Sequence, residues 1–329
     1  MAGPDKNDKY LIGVDFGGTK ILAGVFTPSL ELVGTQKIST KADRSVGDVI
    51  DRIARCAKEA MDECDLDFKQ ALAVGIGAPG AVDPQSGVVI NGPNLGWEKV
   101  PLKEELEKRL GVPVFLDNDC NVCTLGVLEV ELGAKPQTMV GIFLGTGIGA
   151  GLIFDGKLYS GFNRTAGEIG HMVLRADGEN DKENPGVTFE QLASRTAIFK
   201  RIQLSVKAGK KTILTETLGD DLKNLRSGDL RKAIKKGDKL VLKIVEDAAM
   251  YAGMAIGSII NLLNPEVIVL GGGLIEALEG TMFGLIEAQS KKYAMPGVAK
   301  GIKILPSKLG DKAGIYGAAV IASQGLKSK

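Results

Sequence analysis

The chain has 329 residues, 44% hydrophobic and 25% charged, the composition of an ordinary globular protein with room for two domains. Its 41 Lys plus Arg against 40 Asp plus Glu leave a net charge of +1, which excludes a partner held by overall charge, such as nucleic acid or an anionic membrane. The 4 cysteines make no disulfide framework in a chain this long, and no apolar leader precedes Tyr10, so a cytoplasmic protein with free thiols is expected.

Tyr10 to Val14 reads as a strand, followed by a glycine turn and a second strand through Phe26. Glu31 to Ile38 is a third extended segment. Ile50, Ile53, Ala54, Ala57, Met61 and Cys64 fall on one face at helical spacing. Ala71 to Gly77 is a fully apolar strand, and Pro101 to Leu110 a helix with Pro at its first position and Leu102, Leu106 and Leu110 along one side. Val114 to Leu116 is a strand that ends in Asp117-Asn118-Asp119, giving a first block of order β-β-β-α-β-α-β. A helix follows Asp119. Met139 to Phe154 is broken by glycines and reads as two strands around a turn, too interrupted for a membrane helix. The chain is mostly helical from Thr188, with a long apolar helix over Asp238 to Leu263 stopped by Asn264-Pro265. Val267 to Leu270 is a buried strand, Ile302 to Leu305 the last strand, and Lys312 to Gln324 a terminal helix. Both halves begin with strand, glycine-rich turn, strand, which suggests a duplicated architecture.

Three glycine-rich turns carry the chemistry. Asp15-Phe16-Gly17-Gly18-Thr19-Lys20 exposes backbone amides and adds hydroxyl and ammonium donors, the groups a phosphate chain needs. Asp15, at the strand end, is a carboxylate suited to a magnesium shell. The alternative is a tight hairpin with a capping Asp; the spacing is not that of a Walker loop. Gly145-Thr146-Gly147-Ile148-Gly149 repeats the pattern, with a flexible hairpin as its alternative. Gly271-Gly272-Gly273 after a buried strand would let an adenosine lie on bare backbone, or merely let a helix pack on a strand.

These turns, in this order, resemble the two phosphate motifs and the adenosine motif of the sugar kinase, actin and Hsp70 superfamily, and the whole chain from about Leu11 to Gly325 is similar to its ROK branch (repressor, open reading frame, kinase). The resemblance implies an α/β, two-domain, ribonuclease H-like fold of the actin/hexokinase type with an active-site cleft between domains: a small domain of 1–118 plus 310–329 and a large one of 119–309. It implies a glucokinase-like enzyme using ATP and Mg2+, or a kinase for fructose, mannose, allose or an N-acetylhexosamine; ADP or polyphosphate are alternative donors, and a non-catalytic sugar sensor is a remote alternative. Asp119 matches the family's catalytic base, which takes a sugar hydroxyl proton, and Asn118 a sugar ligand; read alone, the pair is an Asx turn capping a helix. Glu168 and His171 (the single histidine) match further sugar ligands, as does Glu190, with Gly80 and Asn94 in segments that wall the family's sugar pocket. Trp97 reads as a packing residue, with a sugar platform as the alternative. The basic stretch Lys223 to Lys243 reads as a solvated helix face.

Most relatives bind a structural zinc through that His and three cysteines; here the residues between His171 and Glu190 contain none, so no zinc is expected. Cys120 and Cys123 read as small apolar packing residues, with a redox or metal-binding CxxC, or a depressed thiol pKa at a helix start, as the alternatives. The resemblance also implies a homodimer or homotetramer. Repressor members carry a helix-turn-helix domain before the first turn, for which the residues before Asp15 leave no room, so no nucleic-acid partner and no membrane partner is expected.

Overall fold

The computed structural model describes residues 8–176 and 186–328. In chain order the strands and helices are β1 (Tyr10–Phe16), β2 (Lys20–Phe26), β3 (Leu32–Ser39), α1 (Val46–Asp62), β4 (Ala71–Ala78), β5 (Ala81–Asp83), β6 (Val88–Gly92), β7 (Trp97–Val100), α2 (Leu102–Leu110), β8 (Val114–Asn118) and α3 (Asp119–Gly126). They continue with β9 (Met139–Leu144), β10 (Ile148–Phe154), β11 (Lys157–Leu158), β12 (Val173–Arg175), β13 (Val187–Thr188), α4 (Phe189–Ala193), α5 (Arg195–Lys207), α6 (Leu214–Leu218) and α7 (Ser227–Lys235). The last are α8 (Lys239–Leu263), β14 (Val267–Gly271), α9 (Gly273–Tyr293), β15 (Lys303–Pro306) and α10 (Ala313–Lys327). By density of contacts the chain divides into Met1–Gln137 with Gly151–Ala166 and Asp311–Lys329, and Thr138–Ala150 with Gly167–Gly310.

In the first unit a five-stranded sheet has the order β3-β2-β1-β4-β8. β1 pairs antiparallel with β2 and parallel with β4, and β4 is parallel to β8. Strand alternation explains its two faces. Tyr10, Ile12, Val14 and Phe16 enter one core with Ile50, Ile53 and Ala57 of α1 and Leu106 of α2. Leu11, with Leu22, Phe26 and Ala73, enters the other, against Ile315, Ala319 and Ala322 of α10. Burying each such Ile or Leu contributes about 1.5–3 kcal/mol.

The helix α10 lies unusually close to the sheet. A Cβ at Gly75 would stand 1.7 Å from the Ala318 carbonyl oxygen, and one at Gly317 would stand 1.7 Å from that of Val122 in α3. Only hydrogen fits at either contact. α3 passes without a break into a π-helical turn, Val127–Glu131.

Three strands of this unit depart from the expected order: β5, β6 and β7 form a small antiparallel sheet between β4 and α2. They are three to five residues long, too short for a clear alternation to register in the sequence. Pro101 precedes α2 as its N-cap and is not its first residue.

The second sheet has the order β11-β10-β9-β14-β15, with β14 parallel to both β9 and β15. This is the order of the first sheet repeated, so the duplication suggested by the two strand–turn–strand units extends through all five strands. In the second unit α8 is capped by Asp238, whose side chain accepts the Val241 amide, and stops at Asn264 in the left-handed region. α9, 21 residues long, has no counterpart among the expected elements; it bends at Leu278, where φ is −125°. Among the described residues no helix is long and apolar enough to cross a membrane.

Candidate active site

The first unit holds one set of expected residues. β1 and β2 are joined by the first glycine turn. The Gly17 amide donates to the Lys20 carbonyl (2.9 Å) and closes the hairpin, while the Gly17 carbonyl accepts the Thr40 hydroxyl (2.6 Å). Among the described residues no backbone carbonyl receives the amides of Gly18 and Thr19, so these two remain to meet an anion. Lys20 is already engaged: its Nζ lies 2.6 Å from Asp311, which Lys37 also approaches at 3.5 Å. Burial pulls the Asp311 carboxyl upward, but the hydrogen bond and charge of Lys20, with Lys37, outweigh it and hold the group below its ordinary value.

Asp15 is half-buried at the end of β1, against the start of α10, where a Cβ on Gly314 would come 2.8 Å from its carboxyl carbon. Burial raises its pKa to about 7; Lys20 opposes the rise, and the neighbouring carboxylates Asp119 and Asp311 add to it. Asp119 thus shares an electrostatic neighbourhood with the first glycine turn.

The β8–α3 junction fixes Asp119. Asn118 caps α3 through Oδ1, accepting the amides of Cys120 (2.9 Å) and Asn121 (3.2 Å), and its Nδ2 donates to the Gly80 carbonyl (3.0 Å). The capping reading of Asn118 is therefore realised, and one amide hydrogen remains for a ligand. Asp117 accepts the Asn118 amide (2.7 Å) and the Asn121 side chain (2.8 Å) beneath; burial raises its pKa, partly offset by these two bonds. Asp119 Oδ1 accepts the Cys120 amide at 2.8 Å in the first turn of α3, where a carboxylate is favoured. Asn94 lies exposed on a short 3-10 turn beside Gly18. Trp97 is buried and packs on Phe16, ring centroids 5.3 Å apart. Cys123 does not have a lowered thiol pKa: burial, with Asp15 and Asp119, holds it well above the ordinary value.

The second unit gathers the rest. Gly145 closes the second turn by donating to Gly147 (2.9 Å), as Gly17 does in the first, and leaves the amides of Thr146 and Gly147 without a backbone carbonyl among the described residues. Glu190, at the start of α4, accepts the Ile148 amide at 2.6 Å, and a Cβ at Gly147 would stand 2.4 Å from its Oε2. Glu190 is thereby tied to the second turn. Glu168 and His171 flank one 3-10 turn, both exposed, 3.9 Å apart. Gly271 ends β14, Gly272 takes φ +89° where a Cβ would stand 2.5 Å from the Leu144 carbonyl, and Gly273 opens α9. A cavity of about 550 Å³ opens beside Gly273, walled by Phe199 and Leu225, with Arg195, Arg231 and Glu276 at its edge.

Two residues escaped the sequence. Asp311 pairs with Lys20 across most of the chain, and only its place before a helix could have drawn notice. Arg195 donates its guanidinium to the Thr146 hydroxyl and its amide to the Gly145 carbonyl (3.0 Å). The cysteine-free stretch behind the no-zinc expectation runs partly through 177–185, outside the described residues. Among the described residues no three His, Cys, Asp or Glu side chains stand close enough to hold a metal ion.

This arrangement of paired five-stranded sheets, each carrying an anion-ready turn between its first two strands, defines a member of the actin/hexokinase type. The chain belongs to the ROK family, whose pattern it matches over residues 11–325. It is 32% identical to a glucokinase of Halalkalibacterium halodurans over 97% of this chain and 96% of that protein. It is 33% identical to a glucokinase of Thermotoga maritima over 95% and 97% of the two chains. Its fold is similar to a ROK family glucokinase of Streptomyces griseus solved with glucose and AMPPNP, with a TM-score of 0.83, 30% identity, and 96% and 100% of the two chains covered.

Proposed function

We propose that the chain is an ATP-dependent hexose kinase that transfers the γ-phosphoryl group of ATP to the 6-hydroxyl of glucose. The observation that carries this reading is Asp119, held at the β8–α3 junction by the capped Asn118 and near enough to the first glycine turn to influence Asp15. Nearly full-length similarity to two glucokinases supports the choice of sugar.

Asp119 accepts the hydroxyl proton as the sugar oxygen bonds to phosphorus, and ADP leaves with the electrons of the broken P–O bond. The turns Gly17-Gly18-Thr19-Lys20 and Gly145-Thr146-Gly147 are assigned to the phosphates, with the open amides of Gly18, Thr19, Thr146 and Gly147 as the donors and Gly17 and Gly145 closing the turns. The turn at Gly271, Gly272 and Gly273, with its adjoining cavity, is assigned to the adenosine. Gly80, Asn94, Asn118, Glu168, His171 and Glu190 are assigned to the sugar hydroxyls, where directional hydrogen bonds separate epimers.

Mg2+ fits the donor set. Asp15 is a hard oxygen ligand whose proton is held only by burial and like charge, so a divalent cation would displace it. Mg2+ characteristically keeps waters and takes only one or two carboxylates beside the phosphates, so no all-protein cage is needed. The cation's chemistry would be charge neutralisation at the phosphate oxygens. The two functional domains of this reading are 1–118 plus 310–329 and 119–309, bounds that differ from the compact units, which keep 119–137 and 151–166 with the first. The enzyme works in the cytoplasm as a homodimer or homotetramer, with neither nucleic acid nor membrane as partner.

Steady-state kinetics with glucose and MgATP test the reading. Asp119→Asn is expected to lower kcat roughly 10²–10⁴-fold, the contribution of a positioned base, with the glucose KM little changed. Normal turnover by this variant would refute the assignment, and a panel of six hexoses identifies the preferred sugar.

A further inference from the structure

We infer that Arg195 positions the phosphate chain of the nucleotide, linking the second glycine turn to the cavity beside Gly273. The inference rests on the kinase reading above and adds a residue to its donor side.

Three observations converge on Arg195. Its backbone amide donates to the Gly145 carbonyl at 3.0 Å, and the hydroxyl of the next residue, Thr196, donates to the Thr146 carbonyl at 2.7 Å, so the start of α5 is fastened to the turn at two points. Its guanidinium donates to the Thr146 hydroxyl, which fixes the direction of the fork. The same side chain lines the 550 Å³ cavity, whose other walls include Phe199, Arg226, Arg231 and Glu276.

The charge of the cavity suits this role. Three arginines face it against one glutamate, and among the described residues none of the three forms an ion pair with a carboxylate. Arg195 is half-buried as a residue, and its guanidinium, with one nitrogen committed to a hydroxyl, has further N–H groups in a planar fork, the geometry that takes two oxygens of one phosphate. Phe199 and Leu225 supply the apolar wall that a heterocyclic base would cover. A nucleoside triphosphate has both parts, an aromatic base and a polyanionic chain. Arg195 is the cavity residue hydrogen-bonded to an anion-ready turn, so it sits where those parts join.

The test uses the whole enzyme with Arg195→Ala, Arg195→Lys and Thr146→Val. Titration calorimetry with Mg-AMPPNP in the absence of sugar reads donor binding directly. Arg195→Ala is expected to weaken it at least tenfold and to raise the MgATP KM in parallel, with the glucose KM within twofold of wild type. Arg195→Lys, which keeps the charge without the fork, recovers part of the loss. Thr146→Val, which frees the guanidinium, gives a smaller loss in the same direction. AMPPNP binding within twofold of wild type in Arg195→Ala overturns the inference, as does an equal loss of nucleotide and glucose, which would mark a local packing role. A wild-type protein that binds AMPPNP but phosphorylates no hexose refutes the kinase reading, and the titration still decides on Arg195.

Discussion

At the scale of single residues, Asp15 is the clearest case of a carboxylate buried at a cost in stability. Its folded pKa is about 7 against an ordinary 3.8, with burial the main cause. The folded protein therefore holds this proton between about pH 4 and pH 7 while the unfolded chain has released it. Where the folded state binds more protons, stability falls as pH rises, so Asp15 costs nothing below pH 4 and its full amount above pH 7. Asp15→Asn removes the charge. Without divalent cation it is expected to melt several degrees above wild type at pH 8, with the gap closing towards pH 4, as read by differential scanning calorimetry; a gap independent of pH would contradict the account. The motif at Asp15 was legible in the sequence because its residue types are unusual for a mere turn. The partnership of Lys20 with Asp311 was not, because the two meet only through the folded sheet and α10. Glu190 was expected as a sugar ligand, but its bond to the Ile148 amide was not legible, because it depends on where α4 begins relative to β10.

At the scale of elements, what the sequence concealed has a physical pattern. Long strands and helices with one clean apolar face, such as β1, β4 and α1, announced themselves. The sheet of β5, β6 and β7 did not, because strands of three to five residues hold too few repeats of the two-residue alternation to stand out. Neither did α9, which bends at Leu278 and whose glycines Gly280 and Gly284 weaken the helical signal. The small residues of α10 were read as facing inward, and their purpose is now concrete: at Gly317 the helix meets the backbone of α3 with no space for a methyl group. Gly317→Ala is expected to lower the unfolding free energy by roughly 2–3 kcal/mol, since overpacked cores cannot yield at backbone contacts. Urea denaturation reads the shift, and an unchanged midpoint would show that the helices can part at no cost.

At the scale of the whole molecule, two sheets of one strand order carry the two phosphate-type turns, and the fold class followed from those repeated turns. The first unit is assembled from chain that lies on either side of the second in sequence: Leu11, Leu22 and Ala73 are covered by Ile315, Ala319 and Ala322 of α10. During translation this apolar face must wait bare until the ribosome has made everything through α10, so growth from the N-terminus cannot complete the first unit first. A nascent chain stalled with Gly310 at the tunnel exit should be cut by dilute protease within residues 8–137, and extension beyond Lys327 should protect it; early protection would mean that α10 is dispensable for closure. Between the emergence of β4 and that of α10 the cell must therefore shelter an exposed face of hydrocarbon, a demand on chaperones set by the order of the gene rather than by the strength of any contact.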